Sequence, residues 1–238
     1  MKYNHFQIRI GWSRVLLNII YFIARRCLSG REAAIQLAFG VMTYERQSNS
    51  VMDTIGEFTR LMDQIYEDES NHVYVLHTDV KSSQLLHDHI NNFCNTKLNC
   101  ISINPRSVTW GGISVTEMNL ALMQAADDFD SKEIELAAWE YFILLGHETI
   151  PLTTLTYTER FLLSYPKGTN FINCWRASGY DFFGQWENLD HRLARVVVDL
   201  SNENILYETD IERSVQKGLE IYKSIQYVVL SRDFVRYV

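Results

Sequence analysis

The sequence predicts an α/β protein built on a mostly parallel sheet with helices on both faces. Two observations point there. Short apolar runs of strand length, such as Val73 to Leu76, recur along the chain, and segments with apolar residues at helical spacing lie between them. That alternation is the pattern of parallel strands joined by covering helices.

Taken in order, Ile35 to Met42 reads as the first strand. Val51, Ile55, Phe58, Met62 and Ile65 then recur at helix spacing, with Asn49 or Ser50 as N-cap. Val73 to Leu76 is the second strand, Ser83 to Phe93 the next helix and Leu98 to Ile103 the third strand. A loop through Pro105 and Gly112 leads into a helix from Ser114 to Ala126, where Ser114 and Glu117 have the spacing of a capping box. Tyr141 to Leu145 is the most hydrophobic strand, followed by a helix over Thr153 to Tyr165. From Pro166 to Asp190 aromatic residues alternate with glycines and no regular pattern holds, as in many functional segments. Val228 to Leu230 is a last strand, and Ser231 caps a helix beginning at Arg232. The chain ends at Val238 inside that helix, so the C-terminal part of the domain is expected to be truncated.

Parallel sheets collect ligands at the carboxyl ends of their strands. The places to search are therefore Thr43 to Arg46, His77 to Lys81, Asn104 to Gly112 and Gly146 to Pro151.

Bulk properties narrow the partners. The formal net charge of -7 argues against nucleic acid, which needs a basic surface. Residues 1–31 nevertheless hold Lys2, Arg9, Arg14, Arg25, Arg26 and Arg31 and no acid. We read 1–31 as a basic amphipathic N-terminal helix and 32–238 as the main domain. Arg14, Asn18 and Arg25 share one stripe of that helix and Leu16, Leu17, Ile19, Ile20 and Ile23 cover the rest. It either lies in an anionic membrane surface through residues 9–28 or packs on the domain or a partner subunit. Its apolar run is too short to span a bilayer, so the expected location is the cytoplasm, with contact at the inner membrane. Of the four cysteines, Cys94 and Cys100 can bridge a short loop; the alternative leaves all four reduced. No zinc spacing, phosphate-cradle motif or serine-hydrolase motif occurs. Asp128-Phe129-Asp130 spells a D-x-D, but it follows a helix instead of a strand, so it reads as a solvated helix end.

Three segments carry chemistry. In His77-Thr78-Asp79-Val80-Lys81-Ser82 an acid at a strand end can accept from a ribose hydroxyl or a uracil N–H, and Lys81 can place charge near a phosphate. The alternative is a solvated turn with Ser82 or Ser83 capping a helix. In Trp110-Gly111-Gly112 the glycines admit a ligand close to the backbone and the indole offers a flat face; the alternative is a turn with a half-buried tryptophan. After Tyr141 to Leu145, His147 and Glu148 either touch a substrate or serve as structural hydrogen-bonders.

In this order the segments resemble the core-2/I-branching β-1,6-N-acetylglucosaminyltransferase family, glycosyltransferase family 14, which includes peptide O-xylosyltransferases. The family's first strand and polar loop are matched by Leu37 to Tyr44. Its "I-Y-x-x-x-N-x-Y-x-x-H-x-D-x-K-S" stretch is matched by Ile65, Tyr66, Asn71, Tyr74, His77, Asp79, Lys81 and Ser82. A tryptophan-glycine element is matched by Trp110 to Gly112. "Y-F-I-L-L-S-G-x-D-Y-P-L" is matched by Tyr141 to Leu145, Pro151 and Leu152, and "G-x-N-F-I" by Gly168, Asn170, Phe171 and Ile172. The final "L-S-R-E-F-V-x-Y" is matched by Leu230 to Tyr237.

The resemblance implies a GT-A-like fold and an inverting transfer of a sugar, N-acetylglucosamine in preference to xylose, from a UDP-sugar to a glycan acceptor. It implies no cofactor and no metal, so Lys and Arg side chains must stabilise the leaving diphosphate. By position, Val41, Asp79, Lys81, Trp110 and Gly111 correspond to the nucleotide-sugar site. His147, Glu148, Arg192 and Arg195 are acceptor-side candidates, beside Asp181, Glu187 and Asp190. Departures are also plain. Thr149 stands where the family has aspartate, and Ser224-Ile225-Gln226-Tyr227 where it has G-S-x-W. The family's catalytic glutamate and its diphosphate-holding basic residues fall beyond Val238. The expected enzyme builds a bacterial surface or secreted glycan, or works in the Golgi if the chain is eukaryotic. The alternative is a nucleotide-sugar-binding or interaction module lacking the base.

Overall fold

The computed structural model describes residues 35–46, 48–67, 72–130, 139–176, 195–212, 222–224 and 226–238. The basic N-terminal helix, Asn71, Asp181, Glu187, Asp190 and Arg192 lie outside the described residues, as does most of the aromatic segment. The described residues divide into two compact units, those within Gln36–Pro151 and Gly168–Val238, and Ile35 with Leu152–Lys167.

The larger unit is a five-stranded sheet in the order β3-β2-β1-β4-β9. Its strands are β1 (Leu37–Thr43), β2 (Val73–Thr78), β3 (Cys100–Ser102), β4 (Tyr141–Gly146) and β9 (Val229–Ser231). The first four run parallel, and β9 runs antiparallel to β4. Every residue of β1 and β2 is buried, which explains why these strands read as unbroken apolar runs. The predicted α/β class with a mostly parallel sheet is the observed one.

Helices α1 (Val51–Ile65), α2 (Gln84–Asn95) and α3 (Ile113–Asp130) follow β1, β2 and β3 in turn. On one face Ala38, Met42, Val73, Val75, Phe142 and Leu144 pack with Met118, Leu122, Met123 and Ala126 of α3 and with Trp139. The Trp139 indole N–H donates to the Ala126 carbonyl at 3.1 Å. On the other face Phe39 stacks on Tyr74, centroids 5.2 Å apart, and Tyr66, Phe93 and Phe58 continue the aromatic layer.

Three of the predicted caps are present, and Ser83 is one of them, its hydroxyl accepting from the Leu86 N–H at the start of α2. Ser50 and Asp53 form a reciprocal capping box at the start of α1, and Ser231 accepts from the Phe234 N–H at the start of the C-terminal helix α5 (Arg232–Tyr237). The Ser114–Glu117 box is corrected. Helix α3 begins one residue earlier than expected. Ser114 donates its hydroxyl to Asp199 Oδ2 at 2.6 Å, and its own N–H donates to the same oxygen at 2.9 Å. The anion at this helix terminus therefore comes from a carboxylate 85 residues away in sequence. Asp128-Phe129-Asp130 falls in the last turn of α3, as expected, and Asp127 pairs with Arg232 and Arg236 of α5.

The stretch before β9 holds more order than its sequence suggests. β5 (Cys174–Arg176) pairs with β8 (Tyr222–Ser224), and β6 (Arg195–Leu200) forms an antiparallel hairpin with β7 (Ile205–Glu212). Asn170 accepts from the Ser231 N–H at 2.7 Å, and Phe171 bridges Val229, so the G-x-N-F-I match ties this stretch to the sheet edge. The smaller unit contains α4 (Leu155–Leu163), capped by Thr154, whose hydroxyl accepts from the Tyr157 N–H. No helix among the described residues is long and apolar enough to cross a membrane.

Cys94 and Cys100 form a disulfide that closes the turn from α2 into β3. Of the two cysteine readings the bridge is the observed one, and Cys174 is free and exposed. Replacing both bridged cysteines by alanine is expected to lower the unfolding free energy by about 2 kcal/mol, the chain-entropy value for so short a loop. Urea midpoints of the oxidised protein and the double variant check this, and equal midpoints would refute it.

Candidate functional site

The carboxyl ends of β1 and β2 open into a cavity of about 410 Å³, within the range of small-molecule sites. Its apolar wall is Met42, Val108, Val115 and Met118; its polar rim includes Tyr44, Arg46, His77, Asp79, Lys81, Asn204 and Gln226. The sheet register explains part of this set. Met42 lies beside His77 across the parallel pair, and both side chains fall on the face covered by α3. Trp110 also lines the cavity yet keeps 74% of its surface exposed.

Asp79 is buried, with its carboxylate turned inward. Oδ1 accepts from the Lys81 N–H at 2.8 Å and Oδ2 from the Val108 N–H at 3.2 Å. Lys81 Nζ adds an ion pair to Oδ2 at 3.2 Å. A carboxylate has about four acceptor sites, so one on Oδ1 stays open to a ligand donor.

Lys81 Nζ donates to Ser107 Oγ at 3.1 Å, to the Val108 carbonyl at 2.8 Å and to the Ser201 carbonyl at 2.9 Å. An ammonium has three donors, and these acceptors with Asp79 occupy them all. Lys81 thus fastens three segments together: the end of β2, the 107–108 loop and the turn of the β6–β7 hairpin. The turn residue Asn204 sits in the left-handed region, φ 58°, and lines the cavity.

His77 is buried and accepts from the Arg106 N–H through Nε2 at 3.0 Å. Burial lowers its pKa to about 4, outweighing the attraction of the Asp79 carboxylate, so the ring is neutral at pH 7. In Trp110-Gly111-Gly112, Gly111 adopts φ +81°, a conformation that side chains disfavour. A Cβ on Gly112 would collide with the Asp199 carboxylate. The glycines here serve the turn and the helix start.

A second cluster lies behind the cavity. Glu148 Oε1 pairs with Arg46 Nη2 at 3.1 Å and accepts from the Tyr227 hydroxyl at 3.1 Å and the Tyr44 hydroxyl at 3.4 Å. Burial and then the nearby Glu148 charge push the Tyr227 phenol up to about 12. His147 is fully buried between Glu57 and Glu148, at 3.4 and 3.3 Å, with the Tyr44 ring edge-on. Burial lowers its pKa against the pull of both carboxylates.

The family model for the core-2/I-branching enzyme matches residues 49–238. The chain belongs to the core-2/I-branching enzyme family. It is 28% identical over 192 residues to xylosyltransferase 2 of Canis lupus familiaris, covering 77% of this chain and 19% of that protein. To the N-acetyllactosaminide β-1,6-N-acetylglucosaminyl-transferase of Homo sapiens it is 25% identical over 219 residues, 89% of this chain and 47% of that one. Human xylosyltransferase 2 is 27% identical over 192 residues, with 77% and 19% covered. The chain therefore spans less than half the length of each of these relatives.

Within this core-2/I-branching chain, the structure brings Asp79, Lys81 and Trp110 together around one cavity. Val41 is outside the lining: it is fully buried on β1 between Leu76 and Leu145, and the next residues, Met42 and Thr43, line the cavity instead. Gly111 also stands outside it, with Leu206 beside its α-carbon. His147 and Glu148 form the cluster behind the rim. Arg195 lies on the hairpin, paired with Glu208 at 3.5 Å and Asp210 at 3.3 Å. Sequence reasoning missed Arg46, Asn204 and Gln226 as individual site residues. The strand-end rule pointed to the Thr43–Arg46 segment without choosing a residue in it.

Proposed function

We propose that this chain is the nucleotide-sugar-binding part of a glycosyltransferase. The proposed reaction is inverting transfer of a sugar, N-acetylglucosamine before xylose, from a UDP-sugar to a glycan or peptide acceptor. The observation that carries the reading is Asp79, buried at the end of β2, lining the same cavity as the exposed Trp110 indole. Asp79 keeps one acceptor site for a ribose hydroxyl or the uracil N–H, and the indole offers a face to the base.

The donor is proposed to act without a cofactor or metal, leaving its diphosphate to side-chain cations. The D-x-D lies in the last turn of helix α3 and does not follow a strand, which supports that reading. Membrane contact through residues 9–28 stays part of the proposal. The Cys94–Cys100 disulfide fits an oxidising compartment, and so favours the secretory location over the cytoplasmic one.

One observation favours the alternative, a binding module without its own base. Among the described residues, the carboxylates lining the cavity are Glu45 and Asp79. Glu45 accepts from the backbone N–H and the hydroxyl of Ser83, and Asp79 is held as described above. Both carboxylates thus take part in holding the fold, which favours a module that binds without deprotonating an acceptor.

UDP titrated into the protein should bind, and Trp110→Ala should weaken that binding about tenfold, the scale of base–aromatic stacking. Because the indole is largely exposed, the variant should melt with the wild type. Calorimetry that finds no UDP binding, or equal binding by the variant, counts against the reading.

A further inference from the structure

We propose that His77 determines base specificity in this cavity: its Nδ1–H donates to the uracil O4 while Asp79 accepts from the uracil N3–H. This rests on the nucleotide reading above and commits it to the base instead of the ribose.

His77 lines the cavity with only 2% of its surface exposed. Its Nε2 accepts from the Arg106 N–H at 3.0 Å. That bond uses the one free lone pair of a neutral imidazole, so the ring proton is on Nδ1. The Nδ1–H meets no acceptor among the described residues, and the nitrogen keeps some access to solvent. His147 is arranged differently, with a carboxylate beside each ring nitrogen. The fold thus employs one nitrogen of His77 and leaves the other, a donor, to the cavity. A ligand that displaces solvent there must supply an acceptor or leave the donor unpaired at a cost.

Asp79 supplies the second half of the pair. It stands two residues after His77, and its bridge to Arg106 continues the parallel pattern past the end of β2. Alternation therefore sends both side chains out on the same side. The Asp79 carboxylate is close enough for its charge to pull on the ring. One side chain offers a donor and the other the open acceptor site on Oδ1. Uracil presents the complement along one edge, with N3–H next to the O4 carbonyl. Cytosine presents the reverse, a bare N3 next to an amino group, so donor would face donor and acceptor would face acceptor. Met42 lies beside His77 across the strand pair, and Val108, Val115 and Met118 complete an apolar wall. A mismatched polar group finds little water there to relieve it.

The test is calorimetric titration of the full chain with UDP and with CDP, using wild type, His77→Gln and His77→Asn. Wild type should prefer UDP by about 100-fold, the effect of two mismatched hydrogen bonds. His77→Gln keeps an acceptor for the Arg106 N–H but has no donor at the place of Nδ1. It should bind UDP about tenfold more weakly, with CDP unchanged or tighter. His77→Asn keeps a donor near Nδ1 and gives up the acceptor at Nε2. It should be less stable yet hold the UDP-to-CDP ratio within about threefold of wild type. A long-range 1H–15N NMR spectrum of the wild-type protein needs no variant: Nδ1 should carry the proton, and its resonance should shift when UDP binds. A ring proton on Nε2, equal binding of UDP and CDP by wild type, or an unchanged ratio in His77→Gln overturns the role of His77 and leaves the nucleotide reading standing. If wild type binds neither compound, the nucleotide reading itself falls and takes this assignment with it.

Discussion

Asp79→Asn is expected to destabilise the protein by about 2–4 kcal/mol, nearly as much as Asp79→Ala. The reason is the geometry of its two oxygens. Oδ1 receives the Lys81 N–H and Oδ2 the Val108 N–H, so each oxygen faces a fixed backbone donor. An amide offers one oxygen and one NH2 group, and whichever way it turns, donor meets donor at one of the two places. Alanine leaves both N–H groups and the Lys81 ammonium without this partner. If Asp79 served the ligand alone, asparagine would cost little stability. Urea unfolding of the two variants separates the cases, and an Asn variant within about 0.5 kcal/mol of wild type would defeat the structural role assigned here. UDP affinity should fall in Asp79→Ala, which loses the open acceptor site on Oδ1.

This dual duty shows how much of the site its sequence reveals. The strand-end rule and the H-x-D-x-K spacing single out Asp79 and Lys81 without coordinates. They do not reveal that the partners of Lys81 lie 26, 27 and 120 residues away. A lysine in a motif reads as a phosphate ligand until its acceptors are known. Arg46 suffered the reverse fate: no spacing marks it, and only the cavity and the Glu148 pair bring it forward. Val41 shows the limit of strand periodicity. The run Leu37–Thr43 is buried on both faces, so alternation does not tell which residues face α3 and the cavity.

The parallel core was legible because its first two βα steps carry a local capping signal, at Ser50 and Ser83. The β6–β7 hairpin was not. The run Val196-Val197-Val198 blurs its alternation, and Ser201 to Asn204 carries no glycine to mark a turn. The false capping box at Ser114 has the same origin. The local i, i+3 pattern was present, but Asp199 reaches the helix terminus first, and a long-range carboxylate leaves no local trace.

Acid is expected to destabilise this protein strongly between pH 6.5 and 4, because the buried imidazoles of His72 and His77 resist charging. His72 accepts from the Leu37 N–H through Nδ1 at 3.1 Å, and His77 from the Arg106 N–H through Nε2. Burial lowers each pKa from 6.5 to about 4. As pH falls through 6.5 the unfolded chain takes up a proton at each ring, while the folded protein does not until about pH 4. The unfolded state binds more protons throughout that window, so stability drops as pH falls from 6.5 to 4, by about 3 kcal/mol per imidazole, and is flat above it. Asp53, whose pKa is held down by hydrogen bonds from Ser50, adds its own loss only at still lower pH. A combined loss of this size is a large share of a domain's total stability. Urea curves at pH 7.5, 5.5 and 4.5 measure it directly. The double variant His72→Asn, His77→Gln keeps an acceptor near Nδ1 and Nε2 respectively but removes these two titrations, so its profile should be clearly shallower over the same range, with His147 leaving a residual slope of the same sign. A wild-type protein as stable at pH 4.5 as at pH 7.5 would mean that these rings charge in place, against the burial and the accepted hydrogen bonds that define them.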